Sequence, residues 1–302
     1  MLSAFITHAP SPLALRASKA VRHATTSNPA RFTASIAPVP LNKSVDVHIV
    51  PILSDNFSYL IHDKKSNVAA VIDPADPRRL LSLANSLNVN LTTALVTHHH
   101  WDHAGGNSEL AALVPGIEIV GSAYEDAEAV NVKMETGTSR AIKDSDLSYT
   151  ALKTPCHTMG HICFYFQTEQ PAVFSGDTLM VAGCGKFFEG DAADMEVSLN
   201  KTLAQLPDQA LVFCGHEYTV TNLSFAQSVD PSNPRVKEKL AWAKEQVANH
   251  QPTVPSTIGD EKMSNPFMRT SRPELAEGLD LRNASAAEVM GVLRERKNNF
   301  RL

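Results

Sequence analysis

The most informative stretch of the chain is Thr97-His98-His99-His100-Trp101-Asp102-His103, which directly follows an apolar run ending at Val96. That run predicts a β-strand, and strands commonly display functional side chains in the loops at their ends. His98 and His100 differ by two positions, so an extended backbone projects both to one side and His99 to the other. A polar surface loop is the alternative, but four histidines and an aspartate within six residues favour a loop that binds metal.

Three further strand ends carry side chains that could complete such a site. A loop before one predicted strand offers His157 or His161, and the spacing alone does not choose between them. Asp177 follows a second strand, and His216 follows a third. Each of these residues alone is weak evidence for a metal site, because an Asp or His at a strand end more often caps or hydrogen-bonds the backbone. Their recurrence at one kind of position, beside the histidine-rich loop, supports a shared site.

Short β-branched runs alternate with helical spacing after residue 45, which predicts an α/β fold with covered sheets. Strands are predicted at Val45–Val50, Tyr59–His62, Ala69–Ile72, Leu91–Thr97, Ile117–Val120, Ile162–Phe166, Val173–Ser175 and Leu211–Cys214. Helices are predicted at Arg78–Leu87, Met195–Leu206, Val236–Val247, Glu274–Leu279 and Ala286–Lys297. The strand signal ends near Pro231, so residues 46–230 are predicted to form the main domain and residues 231–302 a small helical domain.

The first 45 residues differ in composition from the rest. They contain no Asp or Glu and are rich in Ser, Thr and Ala. Such a segment is typical of a mitochondrial transit peptide; a chloroplast transit peptide or a disordered tail of a cytoplasmic protein are the alternatives. The expected compartment is therefore the mitochondrial matrix, with cytoplasm or plastid as alternatives. The basic residues of this leader are Arg16, Lys19, Arg22, Arg31 and Lys43.

Charge and cysteine content exclude several classes of protein. The formal net charge of −5 becomes −10 without the five basic residues of the leader, which suits neither nucleic acid nor an anionic membrane surface as a partner. No apolar run approaches the ~20 residues that a membrane-spanning helix needs. We expect reduced thiols in an intracellular compartment, because the cysteines are scattered without a C-x-x-C pair. The chain is expected to be a monomer. The cysteines are Cys156, Cys163, Cys184 and Cys214.

The motif H-x-H-x-D-H, with the later His, Asp and His, resembles the metallo-β-lactamase superfamily, and within it the hydroxyacylglutathione hydrolases, or glyoxalase II. The resemblance runs from about residue 46 to residue 302. The segment Gly183-Cys184-Gly185-Lys186-Phe187 and the helical tail narrow the resemblance to the glutathione thioesterases. The tail adds the matching segment Asn265-Pro266-Phe267-Met268-Arg269. The resemblance implies a metallo-β-lactamase-like αβ/βα sandwich as the catalytic domain and a C-terminal helical domain that binds substrate.

The same resemblance implies two divalent metal ions, with zinc expected and iron or manganese as alternatives. It assigns one ion to His98, His100 and His157. It assigns the other to Asp102, His103 and His216, with Asp177 bridging both. Asp102 and Asp177 would be catalytic, together with a hydroxide that lies between the ions and attacks the thioester carbonyl. His161 would then pack beside the site, and Asp73 would hydrogen-bond within the ligand loops.

The implied substrate is an S-(2-hydroxyacyl)glutathione, with S-D-lactoylglutathione expected. Glutathione carries two carboxylates, so cationic side chains should hold it, and Arg294 and Lys297 lie one helical turn apart. Phe188 stands where some family members have a tyrosine, so one hydrogen bond to the ligand would be absent. The implied substrate-binding residues are Lys186, Phe188, Tyr218, Arg294 and Lys297.

Three other functions fit parts of the pattern. A persulfide dioxygenase with a single iron shares the first motif but lacks the long helical tail. A nuclease also uses paired metals, although this chain has an acidic body without basic, aromatic-interleaved patches. A non-catalytic metal-binding protein is the third alternative, which a turnover assay would exclude.

Overall fold

The apolar runs of the sequence form two mixed β-sheets in a computed structural model, which describes residues 36–302. The first sheet contains β1 (Val39–Pro40), β2 (Val45–Ile52), β3 (Asn56–Asp63), β4 (Val68–Ile72), β5 (Asn90–Leu95), β6 (Glu118–Ser122) and β7 (Val132–Met134), in that spatial order. The second sheet contains β8 (Ser139–Ala141), β9 (Ser148–Lys153), β10 (Ile162–Phe166), β11 (Ala172–Gly176), β14 (Leu211–Cys214) and β15 (Ser256–Thr257). Between β11 and β14 in sequence, β12 (Leu179–Met180) and β13 (Gly183–Cys184) form a separate hairpin.

Strand direction follows from the connections. Strands β1 to β4 are antiparallel neighbours, whereas β4 to β7 are parallel. Helices join β4 to β5 and β5 to β6, because parallel neighbours need a crossover. In the second sheet the spatial order is β15-β14-β11-β10-β9-β8, and only the β11–β14 pair is parallel within the described residues.

The α-helices lie outside the two sheets and in the C-terminal part of the chain. The first of them begins at Pro77, and the side chain of Asp76 caps it by accepting a hydrogen bond from the Arg79 backbone N–H. This helix ends at Leu87, because the next residue, Asn88, has a left-handed backbone conformation. The helices are α1 (Pro77–Leu87), α2 (Trp101–Ala104), α3 (Asn107–Leu113), α4 (Ala192–Glu196), α5 (Thr219–Val229), α6 (Pro234–Ala248), α7 (Ile258–Ser264), α8 (Pro273–Gly278) and α9 (Ala286–Asn299).

An aromatic cluster fills the space between the two sheets. The Phe174 ring lies 5.0 Å from the Phe213 ring and 5.6 Å from the Phe166 ring, measured between centroids. Tyr59 from the first sheet approaches Phe174 to 5.4 Å, and its hydroxyl donates to the Cys214 carbonyl at 2.5 Å. Because the first sheet thus contacts the second through packing and a hydrogen bond, the loops at their common edge are held at fixed distances.

Helices cover the outer face of each sheet. Leu80 of α1 and Leu110 of α3 pack on the first sheet, and Leu293 of α9 packs with Val212 of the second. The structure therefore confirms the predicted α/β class and the αβ/βα sandwich with a helical C-terminal region.

Some sequence-based boundaries differ from the structure. The sequence predicts a leader over residues 1–45, but Val39 pairs with Val47 in the first sheet and Leu41 is fully buried, so the folded domain begins before Val45. The remainder of the predicted leader, residues 1–35, lies outside the described residues. The tail also contributes a strand, since Ser256 pairs with Val212 at the edge of the second sheet. A two-residue strand is too short to show the alternation by which strands are predicted.

The helix predicted at Met195–Leu206 is not a continuous α-helix. It comprises the end of α4, a π-helix at Val197–Thr202 and a 3₁₀ turn at Leu203–Gln205. Within the π-helix, Ser198 donates to the Pro155 carbonyl and Asn200 to the Phe267 carbonyl. The spacing of apolar residues carries no information on such polar contacts, which is why the pattern predicts a regular helix.

Among residues 36–302, no helix combines the length and apolar content that crossing a bilayer requires.

Replacing Phe174 by alanine should lower the free energy of unfolding by about 3–5 kcal/mol, because it opens a cavity between the sheets. The measurement is urea-induced unfolding of metal-free protein. Phe188→Ala is the matched control, since the Phe188 side chain is 61% exposed and its loss should change the free energy by less than about 0.5 kcal/mol. Equal losses in the two variants would contradict this description of the core.

Candidate metal centre

The histidine-rich loop begins where β5 ends and passes directly into the short helix α2. His98 and His103 are each 1% exposed, so both rings lie inside the protein. His98 Nε2 lies 3.0 Å from His100 Nδ1, as expected for two side chains on the same side of an extended segment. The first turn of α2 folds Asp102 and His103 back toward these rings, because the His100 carbonyl accepts from the His103 backbone N–H.

Three loops of the second sheet bring their side chains to the same place. His157 precedes β10, Asp177 follows β11 and His216 follows β14. His157 Nε2 lies 3.0 Å from His100 Nδ1, and His216 Nε2 lies 3.3 Å from His103 Nε2. The structure thus gathers donors from four separate segments at one edge of the sandwich.

The donors form two separate groups, and a third set of His98, His103 and Asp177 joins them. Within each group the ligand atoms lie within 4.8 Å of one another. One oxygen of Asp177 lies 3.3 Å from His157 Nε2 in the first group and 3.3 Å from His216 Nε2 in the second. Asp177 therefore stands between the groups, in the position of a bridging ligand. The groups are His98, His100 and His157, and Asp102, His103 and His216.

Each of these rings has one nitrogen that faces the centre (the inner nitrogen) and one that faces away from it (the outer nitrogen). Hydrogen bonds at the outer nitrogen hold the inner nitrogen toward the centre. His157 Nδ1 donates to the Lys186 carbonyl at 3.0 Å. His103 Nδ1 faces Asp73 at 2.9 Å, and His216 Nδ1 faces Asp55 at 2.8 Å. A ring whose outer N–H donates in this way presents its other nitrogen as a lone pair, which is the usual arrangement around histidine ligands.

His98 is fixed by a relay through Thr97. The Thr97 hydroxyl donates to Asp73 Oδ2 at 2.8 Å, so its oxygen accepts from His98 Nδ1 at 3.0 Å. The other Asp73 oxygen accepts from the Thr97 backbone N–H at 2.8 Å. Asp73 is 3% exposed and hydrogen-bonds within the ligand loop, as the sequence interpretation expected.

The charges of the centre couple strongly. Burial acts against ionisation of Asp177, but the charges of His216 and His103 outweigh it and hold the pKa of this carboxyl well below its usual range. Burial also opposes protonation of His216, yet Asp177 raises the pKa of His216 to about 9. In contrast, burial lowers the pKa of His98 well below its ordinary value. Without metal, the charges therefore favour an ionised Asp177 beside a protonated His216, whereas His98 stays neutral; a bound metal ion would displace the proton of His216.

This donor set fits two divalent cations. His100 Nδ1 lies 3.0 Å from both His98 Nε2 and His157 Nε2, so three ring nitrogens converge where a cation could lie between them. Asp177 Oδ1 is buried and 3.3 Å from His103 Nε2, without a hydrogen bond among the described residues. Imidazole and carboxylate groups suit zinc, iron and manganese. The chain thus carries a binuclear metal site.

Several residues around the centre were not given a role from sequence. Asp55 orients His216, and Asn56 Nδ2 donates to Asp102 Oδ2 at 3.0 Å. Both belong to a short segment at the start of β3, far from the metal loops in sequence. His161 is not in either donor group; its Nε2 accepts from the Asp177 backbone N–H at 3.2 Å, so it lies beside the centre.

A cleft of about 700 Å³ leads from the donors to the C-terminal helices. At the metal end, the Phe188 ring lies 5.5 Å from the His100 ring and 5.2 Å from the His157 ring. The Tyr218 ring stacks on His216 at 4.8 Å. The structure places all five residues expected to bind substrate along this cleft, which are Lys186, Phe188, Tyr218, Arg294 and Lys297.

The two cations of α9 have different environments. Arg294 is 7% exposed, and its Nη1 donates to the Cys184 carbonyl at 3.0 Å, so it holds the loop that carries Lys186. Lys297 Nζ donates to the Thr221 carbonyl at 3.2 Å. Burial, with a smaller contribution from the charge of Arg294, lowers the pKa of Lys297 to about 8.

The four cysteines are buried and form no disulfide.

Comparisons with known proteins agree with this architecture. Residues 53–216 match the family model described as the metallo-beta-lactamase superfamily, and residues 217–300 match the model described as the hydroxyacylglutathione hydrolase C-terminus. The crystal structure of ETHE1 from Myxococcus xanthus superposes with a TM-score of 0.55 at 26% identity, covering 81% of this chain and 95% of that one.

Curated relatives are similar over most of their length. The cytoplasmic hydroxyacylglutathione hydrolase of Arabidopsis thaliana is 46% identical over 255 residues, which cover 83% of this chain and 98% of that protein. The hydroxyacylglutathione hydrolase of Rhodospirillum rubrum is 39% identical over 257 residues, covering 85% of this chain and 99% of the relative. With both family models matched in tandem and the donor cluster in place, the chain belongs to the hydroxyacylglutathione hydrolases of the metallo-β-lactamase superfamily.

Proposed function

We propose that the protein hydrolyses S-(2-hydroxyacyl)glutathione thioesters to glutathione and a 2-hydroxy acid. S-D-lactoylglutathione is the expected substrate, which would place the reaction second in methylglyoxal detoxification. The observation that carries the proposal is a single cleft with paired metal-ligand groups at one end and cationic side chains at the other. A thioester of glutathione needs both, since its reacting carbonyl is on the sulfur of the central cysteine and its carboxylates are on the two flanking residues.

The centre would hold two divalent ions through the two donor groups. We expect zinc, with iron or manganese as alternatives, because the same ligands suit all three. His98, His100 and His157 would hold one ion and Asp102, His103 and His216 the other, with Asp177 between them. When bound, such ions polarise the acyl oxygen and lower the pKa of water, from ~15.7 to about 7 for zinc.

The protein's own groups would position the reaction. Asp177 is held ionised between the donor groups, and Asp102 is oriented by Asn56, so both carboxylates are fixed before substrate arrives. A hydroxide oxygen adds to the acyl carbon, and the carbon–sulfur bond breaks with the electron pair leaving on sulfur. The carboxylic acid so formed gives its proton to the thiolate, which leaves a carboxylate and glutathione. A thiol has a pKa near ~8.5, so the thiolate departs without a strong general acid. This chemistry requires no Ser-His-Asp triad.

Glutathione would lie along the cationic part of the cleft. Lys186 and Lys297 present ammonium groups there, while Arg294 chiefly supports the Lys186 loop. Tyr218, stacked on His216, would offer its hydroxyl. Phe188 offers a ring and no hydroxyl, so this chain would bind the thiol portion with one hydrogen bond fewer than relatives with tyrosine.

Replacing Asp177 by alanine should abolish hydrolysis and release metal, because it removes the one carboxylate that contacts both donor groups. The measurements are loss of thioester absorbance with S-D-lactoylglutathione and metal content per chain. Asp146→Ala is the control, since that side chain is 90% exposed and pairs with Lys65 on the surface. Full turnover and metal retention in Asp177→Ala would contradict the assignment, and oxygen consumption with a glutathione persulfide would favour the dioxygenase alternative.

The Michaelis constant should rise with pH above about 8, the pKa of Lys297, as this ammonium loses its proton. The cationic form exists below that pKa, so binding is strongest on the acidic side. Lys297→Ala should raise KM by about tenfold or more with little change in kcat, since a hydrogen bond to a charged group is lost. Lys297→Arg, which stays charged, should remove the rise, and an unchanged pH profile of KM in that variant would contradict this role.

We also propose that the N-terminal leader directs the protein to mitochondria. The support is compositional: residues 1–35 contain Arg16, Lys19, Arg22 and Arg31 and no acidic residue. A fluorescent reporter fused to residues 1–45 should localise to mitochondria, and replacement of these four residues by serine should leave it in the cytoplasm. Plastid localisation, or a cytoplasmic distribution of the unaltered fusion, would contradict the proposal.

A further inference from the structure

His99 lies between two metal-ligand histidines but points away from the centre. Its Nδ1 lies 3.1 Å from Glu125 Oε2, and its Nε2 lies 3.6 Å from Glu189 Oε1. The imidazole is thus placed between two carboxylates from different parts of the chain. Glu125 follows β6 and Glu189 follows β13, so neither is close to His99 in sequence.

The same two carboxylates also hold the loop that carries His157. The Thr158 hydroxyl donates to Glu125 Oε2 at 2.8 Å. The Met159 backbone N–H donates to Glu189 Oε2 at 2.7 Å. Each carboxylate therefore contacts His99 in one ligand loop and one of the two residues that follow His157 in the other.

The side chain of Glu125 is packed tightly against the loop that carries His157. Its side chain is 9% exposed, and its Oε1 is buried without a hydrogen-bond partner among the described residues. A Cβ added at Gly160 would collide with the Glu125 side chain, so the loop lies directly against it. Burying a carboxylate costs free energy unless its contacts compensate, which argues for a function at this position.

The two loops supply different ligands to one donor group. His98 and His100 come from the first loop and His157 from the second, and His100 Nδ1 lies 3.0 Å from the Nε2 atoms of the other two. A backbone hydrogen bond from Ile162 to the Thr97 carbonyl joins the loops at their base. A zinc–nitrogen bond of ~2.0–2.1 Å tolerates little displacement of the ligand nitrogen. The distance between the two loops at their tips, away from this hydrogen bond, therefore decides how tightly the three histidines bind an ion.

We infer that Glu125, Glu189 and His99 form a clamp that sets the spacing of the two loops and thereby the affinity of the His98/His100/His157 group for its ion. The three are positioning residues: they touch neither the reacting atoms nor the ion. The inference rests on the metal centre of the proposed function. It assigns a role to His99, which the sequence interpretation left outside the site.

The clamp predicts selective loss of one of the two ions. Glu125→Ala should weaken retention of one ion by about 10–100-fold, the usual cost of losing a group that orients a metal ligand. Metal content after dialysis against a chelator should fall from two ions toward one per chain. Competition with a chromophoric chelator gives the affinity of each ion, independently of catalytic activity.

Three further variants separate a clamp from a general structural role. Glu125→Gln keeps an acceptor for Thr158 and should lose less affinity than Glu125→Ala. His99→Ala should match Glu125→Ala, and the double variant should lose little more, because the two residues act through one contact. Glu128→Ala is the matched control: it is an exposed glutamate three residues away that pairs with Ser108 and should keep both ions.

The fold is monitored by the melting temperature of the metal-free variants. If Glu125→Ala does not fold, Glu189→Ala tests the other arm of the clamp, since its side chain is 39% exposed and its loss should weaken the same ion. The inference is overturned if folded Glu125, His99 and Glu189 variants retain both ions with wild-type affinity, or lose both ions equally. A wild-type protein that holds no metal would instead overturn the proposed function, so the two failures are distinguishable.

Discussion

The convergence of metal-ligand side chains from four separate segments is the constraint on which the rest of the structure depends. His100 Nδ1 lies 3.0 Å from both His98 Nε2 and His157 Nε2, and the ionised Asp177 lies 3.3 Å from nitrogens of both groups. In a low-dielectric interior an ionised carboxylate is costly unless cations compensate its charge. The fold must therefore hold these side chains in place before any ion binds, and much of its polar network serves that purpose.

The sandwich supplies this rigidity from two directions. The aromatic cluster around Phe174 fixes one sheet against the other, so loops from both sheets meet at constant distances. Buried carboxylates then fix individual rings: Asp73 acts on His103 and on the Thr97 relay, and Asp55 acts on His216. The outer clamp of Glu125 and Glu189 continues the same principle one layer farther from the ions.

Sequence alone predicted the class of the fold and the residues that converge at the centre, because both leave local signals. Alternating apolar runs marked β10 and β14 with their observed bounds, and the H-x-H-x-D-H spacing marked the first loop. The choice of His157 over His161 came from family resemblance, and in the structure His157 is in a donor group while His161 packs behind Asp177. Contacts between distant segments, such as Glu125 with His99 or Asn56 with Asp102, leave no local pattern and required coordinates. The π-helix and the early start of the first sheet escaped prediction for the same reason.

Anomalous diffraction at metal absorption edges is the decisive measurement for the binuclear centre. Two peaks per chain are expected, about 3.5–4 Å apart, with Asp177 between them. One peak should be bounded by His98, His100 and His157, at nitrogen distances of about 2.0–2.1 Å for zinc. The other should be bounded by Asp102, His103 and His216. A single peak, or a pair that does not contact Asp177, would contradict this assignment.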